Sequence, residues 1–137
     1  MTYSDDERQH LVTMRLAKSD FALADASMLA EHGSPLGAIN RCYYAMFHAV
    51  SALAIHDNVD LHKHSAIIAW FHREYVKTGR FSQASGKSLQ QAFLKRCSAD
   101  YEDAAIFDSG QVKALLEEAI RFASEIKAVL QGRERPA

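Results

Sequence analysis

The sequence predicts an all-α protein, an up-and-down bundle of about five helices. Three observations carry that expectation. Apolar residues recur at three- and four-residue spacings through most of the chain. Two prolines and six glycines among 137 residues are too few for the turns of an all-β fold. No segment alternates convincingly between apolar and polar side chains. The length suits a single domain over residues 1–137, and 48% hydrophobic with 24% charged residues is the composition of a packed globular chain.

The first helix is expected from about Asp5 to His32, with Leu11, Met14, Leu16, Phe21, Leu23, Met28 and Leu29 as its apolar positions. Gly33 ends it. Ser34-Pro35 then opens the second helix with an N-cap hydroxyl and a proline at the first position. That helix runs to about His56, where Asp57-Asn58 supply a turn. The third is expected from near Lys63 to Lys77, with Ile67, Ile68, Trp70, Phe71 and Tyr75 packed inside, and ends at Thr78-Gly79. A polar loop holding Ser82, Ser85 and Gly86 leads to the fourth, from about Lys87 to Tyr101. The fifth starts at Asp108, where Asp108 and Gln111 suit a capping box. It continues through Leu115, Leu116, Ile120, Phe122, Ile126 and Val129 to Gly132. Residues from about 133 onward read as a frayed tail.

Sixteen Lys and Arg against seventeen Asp and Glu leave a formal net charge of −1. There is no global basic field, so any nucleic-acid contact needs a local patch. Cys42 and Cys97 lie far apart with no C-x-x-C spacing and are expected as buried, reduced thiols. The acidic N-terminal stretch lacks the apolar core of a secretory signal, which favours a cytoplasmic protein. Pro35 to Ile55 is long and largely apolar, but it contains Asn40, Arg41 and His48. A central Arg alone costs about 2.5–3.5 kcal/mol on insertion, so no membrane span is expected.

The second helix is the informative one. At about 100° per residue, Leu36, Ile39, Tyr43, Met46, Phe47, Val50 and Leu53 gather on one broad face, which is assigned to the core. Arg41 and His48 are seven residues apart and align within about 20° on the opposite side. Around them lie Gly37, Tyr44, Ala45, Ala52 and Ile55, small or apolar where a surface helix carries Lys and Glu. Such a face predicts a close helical neighbour, and a second copy of the chain is its simplest source. Arg41 and His48 are separated by a rise of roughly 10 Å, so their convergence on one anion is expected across a twofold axis. A guanidinium fork suits phosphate oxygens, and an imidazole moves protons near neutral pH. On periodicity alone, a plain interface role for the two residues, hydrogen-bonded to each other, to Tyr44 or to a carboxylate, stands beside this reading.

The run Ala38-Ile39-Asn40-Arg41-Cys42-Tyr43-Tyr44-Ala45-Met46-Phe47-His48-Ala49 resembles the HEPN domain family (higher eukaryotes and prokaryotes nucleotide-binding). It is most similar to the small stand-alone prokaryotic members with an N-R-x-Y-Y-A-x-F-H helix. The likeness continues through His64-Ser65, Tyr75 to Gly79 and Arg96 to Tyr101, roughly residues 15 to 128. It implies a dimerising helical bundle, often encoded beside a minimal nucleotidyltransferase that serves as antitoxin. Many such proteins are metal-independent endoribonucleases, frequently toxins or defence effectors. Their Arg and His are separated by four to six residues, and Arg41 and His48 fit with six. The resemblance thus implies His48 in proton transfer and Arg41 at the scissile phosphate, with no metal or cofactor. Asn40, Tyr44, His64 and Arg96 are the candidate supporting or RNA-binding residues. Val50 is a departure, because toxins silenced by nucleotidylylation carry a tyrosine two residues after the His. Some members of the family are non-catalytic modules that bind a nucleotidyltransferase or a nucleotide, and that alternative stays open.

Other motifs carry less. His62, His64 and His72 come without an E-x-x-H pair, and no metal site is expected. Arg96 and Asp100 are spaced for an ion pair along the fourth helix. Lys77, Arg80 and Lys87 read as solvated surface. No G-x-x-x-x-G-K-[ST] or G-x-G-x-x-G loop is present, and Gly33-Ser34 lacks the downstream paired Asp residues of a nucleotidyltransferase.

Overall fold

The computed structural model describes residues 3–101 and 107–132, with 99–101 described by their backbone alone. Ser4 opens the first helix through a capping box. Its hydroxyl accepts from the Glu7 N–H at 3.1 Å, and the Glu7 carboxylate accepts from the Ser4 N–H at 3.0 Å. Helix α1 follows over Asp5–Glu31. Gly33, at φ +74°, makes the turn that a side chain would oppose. Helix α2 spans Pro35–His56. Ser34 sits at its N-cap but its hydroxyl makes no capping bond, contrary to expectation, so Pro35 with its fixed φ sets the start.

Helix α3 covers His64–Phe71 and widens into a π-helical turn over His72–Val76. The expected third helix is therefore present, with its last turn unwound. There the His72 ring nitrogens lie 3.0 Å from the carbonyl oxygens of Ile68 and Gly86. Helix α4, Gln83–Tyr101, begins ahead of the expected Lys87. The Ser82 hydroxyl accepts from the Ser85 N–H at 3.1 Å and so supplies the start signal. Helix α5, Ser109–Leu130, opens with the expected capping box, Asp108 accepting from the Gln111 N–H at 2.8 Å and Gln111 from the Asp108 N–H at 2.9 Å. Among the described residues there are five α-helices and no strand. None is long and apolar enough to cross a membrane.

Helix α2 is the central rod. Ile39, Tyr43, Met46, Val50 and Leu53 are buried, and α1, α4 and α5 all pack against the helix. Trp70, Phe71 and Tyr75 join the same core, and the Tyr75 O–H donates to Asp57 at 2.5 Å, tying the π turn to the end of α2. Cys42 is buried and Cys97 half-buried, both as free thiols, and burial pushes the Cys42 thiol up to about 12.

The α1–α2 contact corrects two expectations. Part of the large apolar set of α1 does not face the core: Met14, Phe21 and Met28 are 46%, 71% and 59% exposed, while Leu16, Leu23 and Leu29 are partly buried against it. The buried side is instead Val12, Ser19, Ala22 and Ala26. It meets Ala38, Ala45, Ala49 and Ala52 of α2, all fully buried, and the Ser19 hydroxyl donates to the Ala45 carbonyl at 2.7 Å. The small-residue side of α2 is thus covered by α1 of the same chain rather than by a second copy. Packed helices lie roughly 8–10 Å apart according to the side chains between them. Alanine and serine set the close end of that range and leave no room for Met or Phe. Leu36, placed at the helix entrance, is 45% exposed rather than in the core, and Ile120 of α5 is 50% exposed. The expected tail from 133 lies outside the described residues.

Ala26→Leu is expected to destabilise the fold by about 1–3 kcal/mol through overpacking at this contact. Denaturant unfolding should show a lower midpoint with an unchanged slope. An unaltered midpoint would mean that α1 does not lie this close to α2.

Candidate active site

Between the side of α2 covered by α1 and the side facing α3 and α4 runs a half-exposed strip. Arg41, Tyr44 and His48 occupy it, spaced three and four residues apart so that they follow one another along the helix. Helix α1 brings the charges of Arg15 and Lys18 to one flank. The first residue of α3, His64, and Arg96 of α4 close the other.

Tyr44 organises the cations. The Arg41 guanidinium carbon lies 5.1 Å from the centre of its ring, and that of Arg96 lies 5.4 Å away. Arg96 also donates from Nη2 to the Tyr44 hydroxyl at 3.3 Å. Asn40 accepts from Arg41 Nε at 3.2 Å and from Nη2 at 2.9 Å, which fixes the fork from one side. The expected ion pair of Arg96 with Asp100 cannot be placed, since the Asp100 side chain lies outside what the structure describes.

Two imidazoles complete the site. His64 Nδ1 is 2.9 Å from the Tyr43 hydroxyl, and its ring stacks on Phe47 with centres 3.8 Å apart. The His48 ring lies 5.9 Å from Tyr44 and 6.3 Å from Phe47, centre to centre. Its Nδ1 is buried and has no hydrogen-bond partner among the described residues, so Nε2 is the nitrogen open to a ligand.

The electrostatics have one sign. His48 titrates far below the ordinary imidazole range, at about 4, first because it is buried and then because Lys18, Arg15, Arg41 and His64 oppose another positive charge. His64 is also held low, by burial and by Arg96. Burial raises the Tyr43 phenol, which therefore stays protonated, and Arg96 offsets only part of that rise. Among the described residues, the charged neighbours that shift the two imidazoles are all positive. A cationic, partly dry cleft with a neutral, unbonded imidazole is suited to an anion, and its nitrogen can accept a proton.

A HEPN domain model matches residues 12–132, most of the chain. The protein belongs to the HEPN domain family. A UPF0332 protein of Thermotoga maritima is 31% identical over 130 residues, covering 95% of this chain and 98% of its own length. A putative toxin of Methanocaldococcus jannaschii is 28% identical over 109 residues, covering 80% of this chain and 81% of the relative. A second putative toxin of that organism is 28% identical over 93 residues, covering 68% of this chain and 63% of the relative.

In this HEPN chain Arg41, His48, Asn40, Tyr44, His64 and Arg96, all singled out in the sequence, gather in one place. Arg15 and Lys18 were missed. Their signal is present, two cations three residues apart beside the small positions Ser19 and Ala22, but the larger Met14 and Phe21 mask it. Tyr43 and Phe47, on the core face of α2, also hold His64. The histidines weighed for a metal do not converge: His62 pairs with Asp60 at 3.2 Å, His64 bonds Tyr43, and His72 faces two backbone carbonyls. Arg80 lies over the Tyr75 ring at 4.2 Å, away from the site. Val50 points into the core, fully buried.

The low titration of His48 has a consequence for stability. Its folded value lies below the ordinary 6.5, so the unfolded chain binds the proton more readily. Stability is then present above about 6.5 and is lost as the pH falls from there toward about 4. Thermal unfolding in a phosphate-free buffer should therefore show wild type losing more of its midpoint on acidification than His48→Gln. Identical pH dependence in the two proteins would remove the claim.

Proposed function

We propose that this HEPN protein is a metal-independent endoribonuclease, the toxin or effector half of a pair with a minimal nucleotidyltransferase. The observation that carries the reading is the meeting of Arg41 and His48 with Arg15, Lys18 and Arg96 on one face. Arg41, braced by Asn40 and Tyr44, would grip the scissile phosphate and stabilise the charge that builds on it. His48, neutral at physiological pH, would take the 2′-hydroxyl proton through Nε2. The toxin names of two relatives support the effector role. A non-catalytic module that binds a nucleotidyltransferase or a nucleotide is the other outcome of the test.

RNA cleavage in the presence of a chelator decides between them. Wild type should retain activity with the chelator. His48→Ala should lose about 10²-fold or more in rate, and Arg41→Ala about 10²–10³-fold. Equal activity in all three, or activity abolished by the chelator, would count against the proposal.

We further infer that the protein acts as a homodimer. What supports this is the stripe of Met14, Phe21 and Met28, exposed and seven residues apart along α1. Lys18 and Asp25 border it, also seven apart, so an antiparallel copy about a twofold near Phe21 sets Lys18 of each chain opposite Asp25 of the other. Because Lys18 also faces His48, such a dimer brings the two clefts side by side. Phe21→Lys should shift the sedimentation of the protein from dimer to monomer while leaving its helical content unchanged. A wild-type monomer at micromolar concentration would exclude the assembly.

A further inference from the structure

Two imidazoles open onto the cationic face of a single chain, and the second is held more firmly than the first. We propose that His64 is the group that protonates the leaving 5′-oxygen while His48 takes the 2′-hydroxyl proton, an inference that rests on the ribonuclease reading above. His64 is fixed on two sides, by the Tyr43 hydroxyl 2.9 Å from Nδ1 and by the Phe47 ring stacked at 3.8 Å. With Nδ1 turned to the buried Tyr43, the opposite nitrogen, Nε2, faces away from the core. His64 and Arg15 both line a cleft of about 320 Å³ beside the end of α2, large enough to admit part of a nucleotide. The Tyr44 ring lies 5.9 Å from His48 and 5.8 Å from His64, so the two imidazoles flank one aromatic platform beneath Arg41 and Arg96.

The Tyr43 hydroxyl serves both protonation states of His64. It donates to Nδ1 of the neutral ring and accepts from Nδ1–H of the charged one. Among the described residues, the charged or titratable groups about His64 are Arg96 from α4, His48 from α2, and Arg15 of α1 with the Asp60–His62 pair, which line the same cleft. A phosphate among them favours the imidazolium that the cations alone disfavour.

The step balances. The 2′-oxygen bonds to phosphorus as its proton passes to His48 Nε2. The bond from phosphorus to the 5′-oxygen breaks, its electron pair stays with that oxygen, and His64 Nε2 hands it a proton. The products are a 2′,3′-cyclic phosphate and a 5′-hydroxyl. His48 is left charged and His64 neutral, and exchange with water resets both.

The test is the pH profile of kcat/KM for RNA cleavage between about pH 4 and pH 8, which reports the acid and base of the free enzyme. Wild type should give a bell with its maximum on the acid side of neutral. His64→Gln should lose about 10²-fold at that maximum and lose the alkaline fall while keeping the acid limb. Tyr43→Phe should keep the bell and displace its alkaline limb. A His64→Gln profile matching wild type in shape, whatever its height, overturns the role. As a readout independent of turnover, inorganic phosphate titrated into the full chain should shift the imidazole NMR signals of His48 and His64 along one saturation curve. Movement of His48 alone also overturns it. A wild type that cleaves no RNA overturns both this role and the ribonuclease reading, whereas cleavage with an unchanged His64→Gln profile overturns this role alone.

Discussion

The close approach of α1 to α2 is the constraint on which the site depends. Ser19, Ala22 and Ala26 lie against Ala38, Ala45, Ala49 and Ala52, and the one buried hydroxyl among them is satisfied by the Ala45 carbonyl. Small side chains bury little apolar area each, so this contact gains through proximity of backbones and many short dispersion contacts rather than through bulk. Proximity also has a functional effect. It brings Arg15 and Lys18 from α1 near enough to His48 to oppose its protonation, which neither helix accomplishes alone. A larger residue at Ala26 or Ala45 would therefore act on charge as well as on packing.

Much of the fold was legible in the sequence because its signals are local. Gly33, Pro35 and the Asp108–Gln111 box mark boundaries through backbone chemistry that holds whatever packs around them. The orientation of α1 was not legible in the same way. Periodicity ranks faces by the size of their apolar residues, and here the inner face is made of small ones while Met14, Phe21 and Met28 look outward. That single inversion hid the cations of α1 and made a second copy seem necessary to cover α2. The π turn at His72–Val76 was equally invisible; there the His72 ring meets the carbonyls of Ile68 and Gly86, the second of which only the folded chain brings near.

Gathering Arg15, Lys18, Arg41 and Arg96 about one strip carries an electrostatic cost. Two like charges 4 Å apart repel by about 4 kcal/mol at an effective dielectric of 20. The aromatic rings moderate this. Tyr44 presents its ring to two guanidiniums and its hydroxyl to one of them, and Asn40 supplies an oxygen to the other. Neither Tyr44 nor Asn40 carries a formal negative charge, so they orient Arg41 without neutralising it. The repulsion that remains is relieved by an incoming anion, which makes binding sensitive to salt.

A plain structural role for Arg41 and His48 within one chain would be met by hydrogen bonds between them, and among the described residues the pair makes none. Arg41 gives one N–H each from Nε and Nη2 to Asn40 and lays its face on Tyr44, which leaves its other donors for a ligand. His48 bonds neither Arg41 nor Tyr44 nor a carboxylate, and its buried Nδ1 is left without a partner among the described residues. A buried polar atom in that condition costs about 1–3 kcal/mol. Burial and four neighbouring positive groups then add to the cost of charging the ring. A side chain placed for stability would shed those costs, and an alanine or leucine on this strip would do so. Strain of this kind is offset when a ligand supplies what the fold withholds, a negative charge beside the ring and a proton for Nε2.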